Sequence, residues 1–152
     1  MNVKHSKKGH LEAAASHHEQ AARYHREASR HFEAGQDYAH AAHQAMMAHG
    51  HTLHAIDQAH DAGVHSAGTP PITPASTASG ANSENAAKHH AMAAELHEQA
   101  AQHMRHAVKL FDQDRGAVAH DAQLALSLAL RALSHGNEAA RLFIRLAPVE
   151  AS

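Results

Sequence analysis

The sequence predicts an all-α fold in the form of a four-helix bundle, and three observations indicate it. Alanine, the residue that most favours helix, contributes 37 of the 152 residues. Strand formers are scarce, because the chain has three phenylalanines, two tyrosines and no tryptophan. Alanines and histidines recur at alternating spacings of four and three, which is typical of a helix-packing seam.

Helix-stop and helix-start residues divide the chain into four predicted helices. Gly35 followed by Asp37 predicts the first boundary, and Asp114 with Gly116 predicts the last. A long connector at 63–83 lies between the second and third predicted helices. It is rich in Pro, Ser, Thr and Ala and holds three of the four prolines, which predicts irregular structure. The predicted helices cover 10–34, 37–62, 84–111 and 116–147.

The two halves of the chain resemble each other. Shifting 14–31 by 72 positions aligns it with 86–103, and after the turn a shift of 77 aligns His43 with His120. This similarity predicts an internal duplication of a helical hairpin. One domain, 1–152, is expected to form from hairpins at 10–62 and 84–147. The histidines that recur in the aligned helices are His17, His18, His25 and His31 in the first copy and His89, His90, His97 and His103 in the second.

Two recurring histidines of each copy fall on the packing seam of their helix. His18 and His25 occupy seam positions of the first helix, and His90 and His97 occupy those of the third. A neutral imidazole buried without a partner costs about 1–3 kcal/mol. Since the nearby glutamates fall on outward positions, a transition-metal ion is the partner that explains most of the pattern.

The geometry of these ligands can be estimated from helix dimensions. Histidines seven residues apart on one helix are separated by about 10.5 Å, so His18 and His25 define two levels. If the duplication makes the first and third helices parallel, His18 meets His90 and His25 meets His97. The full set of predicted metal ligands comprises His17, His18, His25, His31, His43, His89, His90, His97, His103 and His120.

Further pairs of histidines lie three residues apart on one helix face, where two imidazoles can chelate an ion. They are His40/His43, His51/His54 and His103/His106. Imidazole ligands favour Cu²⁺ or Zn²⁺, with Ni²⁺ and Co²⁺ next, over Mg²⁺ and Ca²⁺. The predicted function is metal storage, buffering or delivery. No serine-hydrolase, P-loop or dinucleotide motif is present, so an enzyme is not expected.

Two alternatives stay open: a non-covalent haem held by facing histidines, and a metal-free structural or interaction bundle. Ferritin-like di-iron chemistry is disfavoured, because acid-x-x-His spacings occur only at Asp37/His40 and Asp57/His60, both on one helix. Six histidines are interpreted as solvated surface residues: His5, His10, His60, His65, His106 and His135.

Composition restricts the classes of partner. The absence of cysteine excludes disulfides, thiolate metal sites and covalently attached c-type haem. A net charge of −2 disfavours nucleic-acid binding. No apolar run reaches membrane-spanning length, so a cytoplasmic location is expected, or a periplasmic one if a leader is missing. Surplus leucines in the fourth helix predict a homo-oligomer.

The pattern AAxHHExAAxxHxEAxxH, carried by residues 14–31, resembles small bacterial His/Ala-rich helical-bundle proteins that have no assigned activity. The resemblance covers chiefly the first hairpin and implies no catalytic residues. The predicted architecture is also similar to copper-storage bundles, whose lining is cysteine where this chain has histidine.

Overall fold

A computed structural model describes residues 7–35, 37–62 and 83–146, and these residues form four α-helices and no strand. α1 spans Lys7–Ala34, α2 Tyr38–Ala62, α3 Ser83–Leu110 and α4 Arg115–Leu146. The predicted all-α fold is confirmed, and each predicted helix boundary lies within a few residues of the observed one. Apart from Ser83, the predicted connector lies outside the described residues, so its conformation stays a prediction.

The predicted helix signals act as expected at both short turns. Gly35 adopts the left-handed conformation, with φ of 69°, just after α1 ends. Asp37 caps α2, because its Oδ1 accepts a hydrogen bond of 3.2 Å from the backbone N–H of His40. Asp114 caps α4 in the same way, accepting a 3.1 Å hydrogen bond from the N–H of Ala117. The turns thus fix how each hairpin folds back on itself.

α1 and α3 pack against each other antiparallel at the centre of the bundle. Glu19 pairs with Arg105 at 2.8 Å, whereas Arg26, later in α1, pairs with Glu98, earlier in α3, at 2.7 Å. The prediction that the two helices run parallel is therefore wrong. A seven-residue spacing is the same when read in either direction, so the seam could not determine the direction.

Each hairpin adds one outer helix to this central pair. α2 packs along α1, α4 packs along α3, and α2 and α4 meet only loosely. Buried alanines make close packing possible at the α1–α3 contact, where Ala21 and Ala93 are fully buried between the two levels of seam histidines. The loose contact between α2 and α4 leaves space beside one of these levels.

Large apolar side chains collect at the two ends of the bundle. One end holds a cluster containing Leu11, Met104, Phe111 and Val118. The other end holds a cluster built around Phe32 and Leu142. The middle of the α1–α3 interface, between these clusters, is filled by histidine and alanine, so few large apolar side chains lie there.

The outer helices leave some apolar surface in contact with solvent. Leu124 is 36% exposed and Ile144 is 73% exposed on α4. The homo-oligomer predicted from the leucines of this helix stays a prediction. In the part of the chain that the structure describes, no helix is both long enough and apolar enough to cross a membrane.

Candidate metal centre

The four seam histidines form two buried pairs between α1 and α3. Nδ1 of His18 lies 3.0 Å from Nδ1 of His97, and Nδ1 of His25 lies 3.0 Å from Nδ1 of His90. All four rings are buried, with at most 3% of any residue exposed. The burial of these residues agrees with the seam, but the partners are exchanged, because the helices are antiparallel. We call His18–His97 and His25–His90 the central pairs.

The central pairs join into one row of aromatic rings. The rings of His25 and His97 stack with their centroids 5.6 Å apart and an interplanar angle of 13°. At one end of the row, Phe32 stacks on His90 at 5.5 Å. The two levels predicted from the sequence are therefore in direct contact through His25 and His97.

A hydroxyl group fixes the tautomer in the first central pair. The hydroxyl of Thr52, on α2, donates to the carbonyl of Ala48 at 2.9 Å, and its oxygen lies 2.8 Å from Nε2 of His97. Because the hydroxyl proton is already used, Nε2 of His97 carries a proton and donates to Thr52. Nδ1 of neutral His97 then has a free lone pair directed at His18.

Burial depresses the pKa of all four central histidines. It lowers the pKa of His18 to about 3 and that of His90 to about 4, with a smaller contribution from the adjacent His17 or His89. The pKa values of His25 and His97 also lie well below 6.5, mainly because of burial. The four imidazoles are therefore neutral at pH 7, and neutral imidazole is the form that ligates metal ions.

Two further pairs, the flanking pairs, join each central helix to its outer helix. His17 faces His51 across α1 and α2, and His89 faces His135 across α3 and α4. Each again has an Nδ1–Nδ1 distance of 3.0 Å and a ring-centroid distance of 5.2 Å. Partial burial lowers the pKa of all four rings. His135, interpreted from the sequence as solvated surface, is thus a paired residue because α4 brings it to His89.

A carboxylate takes part in a third kind of site near the α1–α2 turn. Ligand atoms of Glu27, His31 and His40 lie within 4.8 Å of one another. Among the described residues, no other group of three or more possible metal ligands has its ligand atoms within this distance of one another. Glu27 is also bound by Arg30 at 2.8 Å, so an ion here would compete with an ion pair. The sequence predicts His31 as a ligand, and the helical spacing puts Glu27 on an outward position.

Asp121 engages the predicted chelating pair on α3. Its carboxylate is buried and lies 3.0 Å from Nδ1 of His103 and 2.5 Å from Nδ1 of His106. The Nδ1 atoms of both rings are occupied by this contact, which leaves Nε2 as the ligand atom of each. Carboxylate–histidine contacts of this kind orient imidazoles in metal sites.

Two predicted ligands do not join any of these groups. His43 and His120 are both exposed, on α2 and α4. Within residues 7–35, 37–62 and 83–146, neither ring is brought to another histidine. The alignment of His43 with His120 at a shift of 77 therefore does not identify the paired residues. In the structure, His51 and His135 are the equivalent residues of α2 and α4, because they pair with His17 and His89. Of the six histidines interpreted as solvated, His5 and His65 lie outside the described residues, and His10 contacts Gln58.

Sequence reasoning missed three buried polar residues of the site, namely Thr52, Asp121 and Glu138. Thr52 had a signal, because it lies in the small-residue stripe of α2 with Ala48 and Ala55. Glu138 acts electrostatically on His89, where it partly opposes the lowering of the pKa by burial. Neither acidic residue lies on a seam that would predict its burial.

No family model, curated protein or solved structure matches this chain.

Proposed function

We propose that this bundle binds divalent transition-metal ions through its inter-helical histidine pairs and serves to store or buffer them. The observation that carries the proposal is the repetition of one geometry. Four pairs, on three different helix interfaces, each bring two Nδ1 atoms to 3.0 Å. Cu²⁺ and Zn²⁺ are the ions expected first, with Ni²⁺ and Co²⁺ as further candidates.

The nitrogen–nitrogen distance suits two ligands of one ion. With metal–nitrogen bonds of 2.0–2.1 Å, two nitrogens are about 2.9 Å apart at a right angle and about 3.3 Å apart at the tetrahedral angle. The observed 3.0 Å lies between these values. An ion could therefore take the place of the proton between the two Nδ1 atoms with a small displacement of the rings, and the ring that carried this proton would take the Nε2–H tautomer. The right-angle value, typical of Cu²⁺ and Ni²⁺, is the nearer one.

The surroundings of His97 support ligation through Nδ1. A metal-ligating histidine almost always donates its other ring N–H to an acceptor, which fixes the tautomer. Thr52 is such an acceptor for Nε2 of His97. The low pKa values of the central rings act in the same direction, because no proton has to be displaced from a cationic imidazole at pH 7.

A bare ion fits these pairs better than a haem. The two axial nitrogens of a bis-histidine haem lie on opposite faces of a porphyrin. The rings of each central pair are in hydrogen-bonding contact, so a haem would have to separate α1 from α3 along their alanine-lined interface. In a metal-free bundle, each pair would be held by an N–H···N hydrogen bond. Both alternatives are outcomes of the test below.

The test is a titration of tag-free protein, stripped of metal, with Cu²⁺ and with Zn²⁺. Isothermal titration calorimetry gives the number of ions bound, and electron paramagnetic resonance of the Cu²⁺ form gives the number of nitrogen ligands. We expect at least two ions, each with two or more imidazole nitrogens. A haem titration followed by absorbance tests the alternative, which predicts a Soret band that shifts on binding.

Variants assign the ions to the pairs. Replacing both members of a pair by leucine keeps the interior apolar and leaves no unpaired imidazole, so folding is retained. The bound stoichiometry is expected to fall in the double variant of each pair that binds an ion and to stay unchanged in the exposed control His43→Ala/His120→Ala. The double variants are His18→Leu/His97→Leu, His25→Leu/His90→Leu, His17→Leu/His51→Leu and His89→Leu/His135→Leu. An unchanged stoichiometry in all four, with circular dichroism showing intact helix, would refute the proposal.

A further inference from the structure

A cavity of about 340 Å³ lies between α2 and α4, where these helices meet loosely. The buried rings of His25 and His90 form part of its lining. The remaining walls are mostly apolar, with His49 and Asn137 as further polar residues among them, and the volume is within the range of small-molecule sites. The larger side chains among the walls are Phe32, Met46, Leu133, Phe143 and Ile144.

The cavity lies where the two halves of the bundle differ. The flanking pairs His17–His51 and His89–His135 correspond, so the residues that follow His51 and His135 correspond as well. These residues are Thr52 and Gly136. Thr52 contacts His97 in one half, and the position that a Cβ of Gly136 would take lies 3.5 Å from Cε1 of His25 in the other. Glycine thus stands where the first half has a hydroxyl-bearing side chain.

This difference leaves the two central pairs unequally satisfied. His97 has a hydrogen-bond partner on each ring nitrogen, namely Thr52 and His18. Within the described residues, the structure gives the His25 ring one hydrogen bond, to His90. The ring of His25 borders the cavity, so a molecule inside that space can form a hydrogen bond with its second ring nitrogen.

We propose that the cavity binds a small, largely apolar molecule with one hydroxyl group. The hydroxyl oxygen accepts a hydrogen bond from Nε2–H of His25, as the oxygen of Thr52 does from His97. Its proton is donated to the carbonyl of Ala132, which lies one turn before Gly136 and lines the cavity, as Ala48 lies one turn before Thr52. The apolar part of the molecule fills the space that the missing side chain leaves. This site requires no bound metal.

The probes are p-cresol and toluene, which have the same apolar ring and methyl group and differ by one hydroxyl. We expect metal-free, full-length protein to bind p-cresol saturably and at least about tenfold more tightly than toluene, because only p-cresol satisfies His25. Affinities are measured by calorimetry. The ring-nitrogen resonances of ¹⁵N-histidine-labelled protein report whether His25 is the contact.

Gly136→Thr supplies the missing hydroxyl from the chain itself and fills the cavity. It is expected to reduce p-cresol affinity at least about tenfold. Gly50→Thr is the matched control, since Gly50 is a helical glycine with no atom within 4 Å of its added Cβ, and it should leave binding unchanged. Gly136→Ser introduces a smaller side chain with the same hydroxyl, and it repeats the test if the threonine variant does not fold.

Three results would overturn the proposal: no saturable binding of p-cresol, equal affinity for toluene, or full p-cresol affinity in the folded Gly136 variant. Metal binding by the same preparations is measured separately. Loss of metal binding with retained p-cresol binding would overturn only the proposed storage function, and the reverse result would overturn only the cavity ligand.

Discussion

The two central histidine pairs have the same core geometry and different surroundings. Both have Nδ1 atoms 3.0 Å apart, both join α1 to α3, and both lie beside a flanking pair. The His18–His97 pair is closed by Thr52 from α2. The His25–His90 pair borders a cavity, because the corresponding residue of α4 is Gly136. One hydroxyl-bearing side chain separates a closed site from an open one.

The comparison teaches which part of the bundle sets the histidine geometry. The pairing depends on α1 and α3, whose alanine-rich faces allow close approach, and it is the same in both halves. The outer helices then determine what else each pair contacts. An ion bound by the closed pair would have its further contacts supplied by the chain, whereas an ion bound by the open pair would have neighbouring space for another molecule.

Acid is expected to have the largest effect, and it should act on both pairs alike. Burial lowers the pKa values of the central rings in the folded protein well below 6.5, and these values are about 3 for His18 and about 4 for His90. The unfolded chain therefore binds more protons between these values and 6.5, and stability is full above pH 6.5 and falls as pH drops below it. Each such histidine lowers the free energy of unfolding by about 1.4 kcal/mol per pH unit below 6.5, so four lower it by about 5.6 kcal/mol per unit.

The measurement is the thermal melting of metal-free protein at pH 7.5, 6.5 and 5.5, followed by circular dichroism. We expect nearly equal melting temperatures at the two higher values and a large fall, or unfolding, at the lowest. Replacing all four central histidines by leucine should remove most of this dependence. A melting temperature that does not change between pH 7.5 and 5.5 would show that these rings are not buried as neutral groups.

Removing the hydroxyl of Thr52 should make the closed pair resemble the open one. Thr52→Val keeps the shape of the side chain but leaves Nε2–H of His97 without its acceptor. The expected loss of stability is about 1–3 kcal/mol, the cost of an unsatisfied buried polar group. Chemical denaturation measures it, with Thr52→Ser as the control that restores the hydroxyl. Equal stability of the valine variant and the wild type would mean that the closed and open pairs do not differ energetically.

The sequence predicts what depends on local periodicity. Helix boundaries follow from Gly35, Asp37 and Asp114, whose effects act within one turn. The burial of His18 and His97 follows from the seam, because a four-three spacing puts them on one face. Such information is local and does not depend on how the helices are arranged.

The direction of α3 relative to α1, and with it the choice of partners, is not local. The seven-residue spacing is satisfied whether His18 lies at the level of His90 or at the level of His97. Periodicity therefore does not favour one partner over the other. The same limit applies to α4. His135 contacts His89 as His51 contacts His17, although the sequence alignment of the second helices places the counterpart of His51 seven residues before His135. Asp121 is buried where two histidines of α3 contact it, and the residues next to it in the sequence do not predict this contact.

The smallest effect is expected from the two ion pairs that border the α1–α3 contact. Arg26 and Arg105 each make two hydrogen bonds to a glutamate, Glu98 and Glu19, and these contacts raise the pKa of both guanidinium groups. All four side chains are about half exposed, so each pair is expected to contribute less than about 1 kcal/mol.

Arg26→Ala and Arg105→Ala should therefore lower the free energy of unfolding slightly and by similar amounts, as measured by chemical denaturation. The two ion pairs lie beside different central pairs, because Glu19, the partner of Arg105, follows His18, and Arg26 follows His25. The small difference from the wild type should shrink further in 1 M NaCl, because salt screens exposed charges. A loss above 2 kcal/mol in one variant alone would mean that its ion pair, and not the histidines and alanines, fixes the position of that central pair.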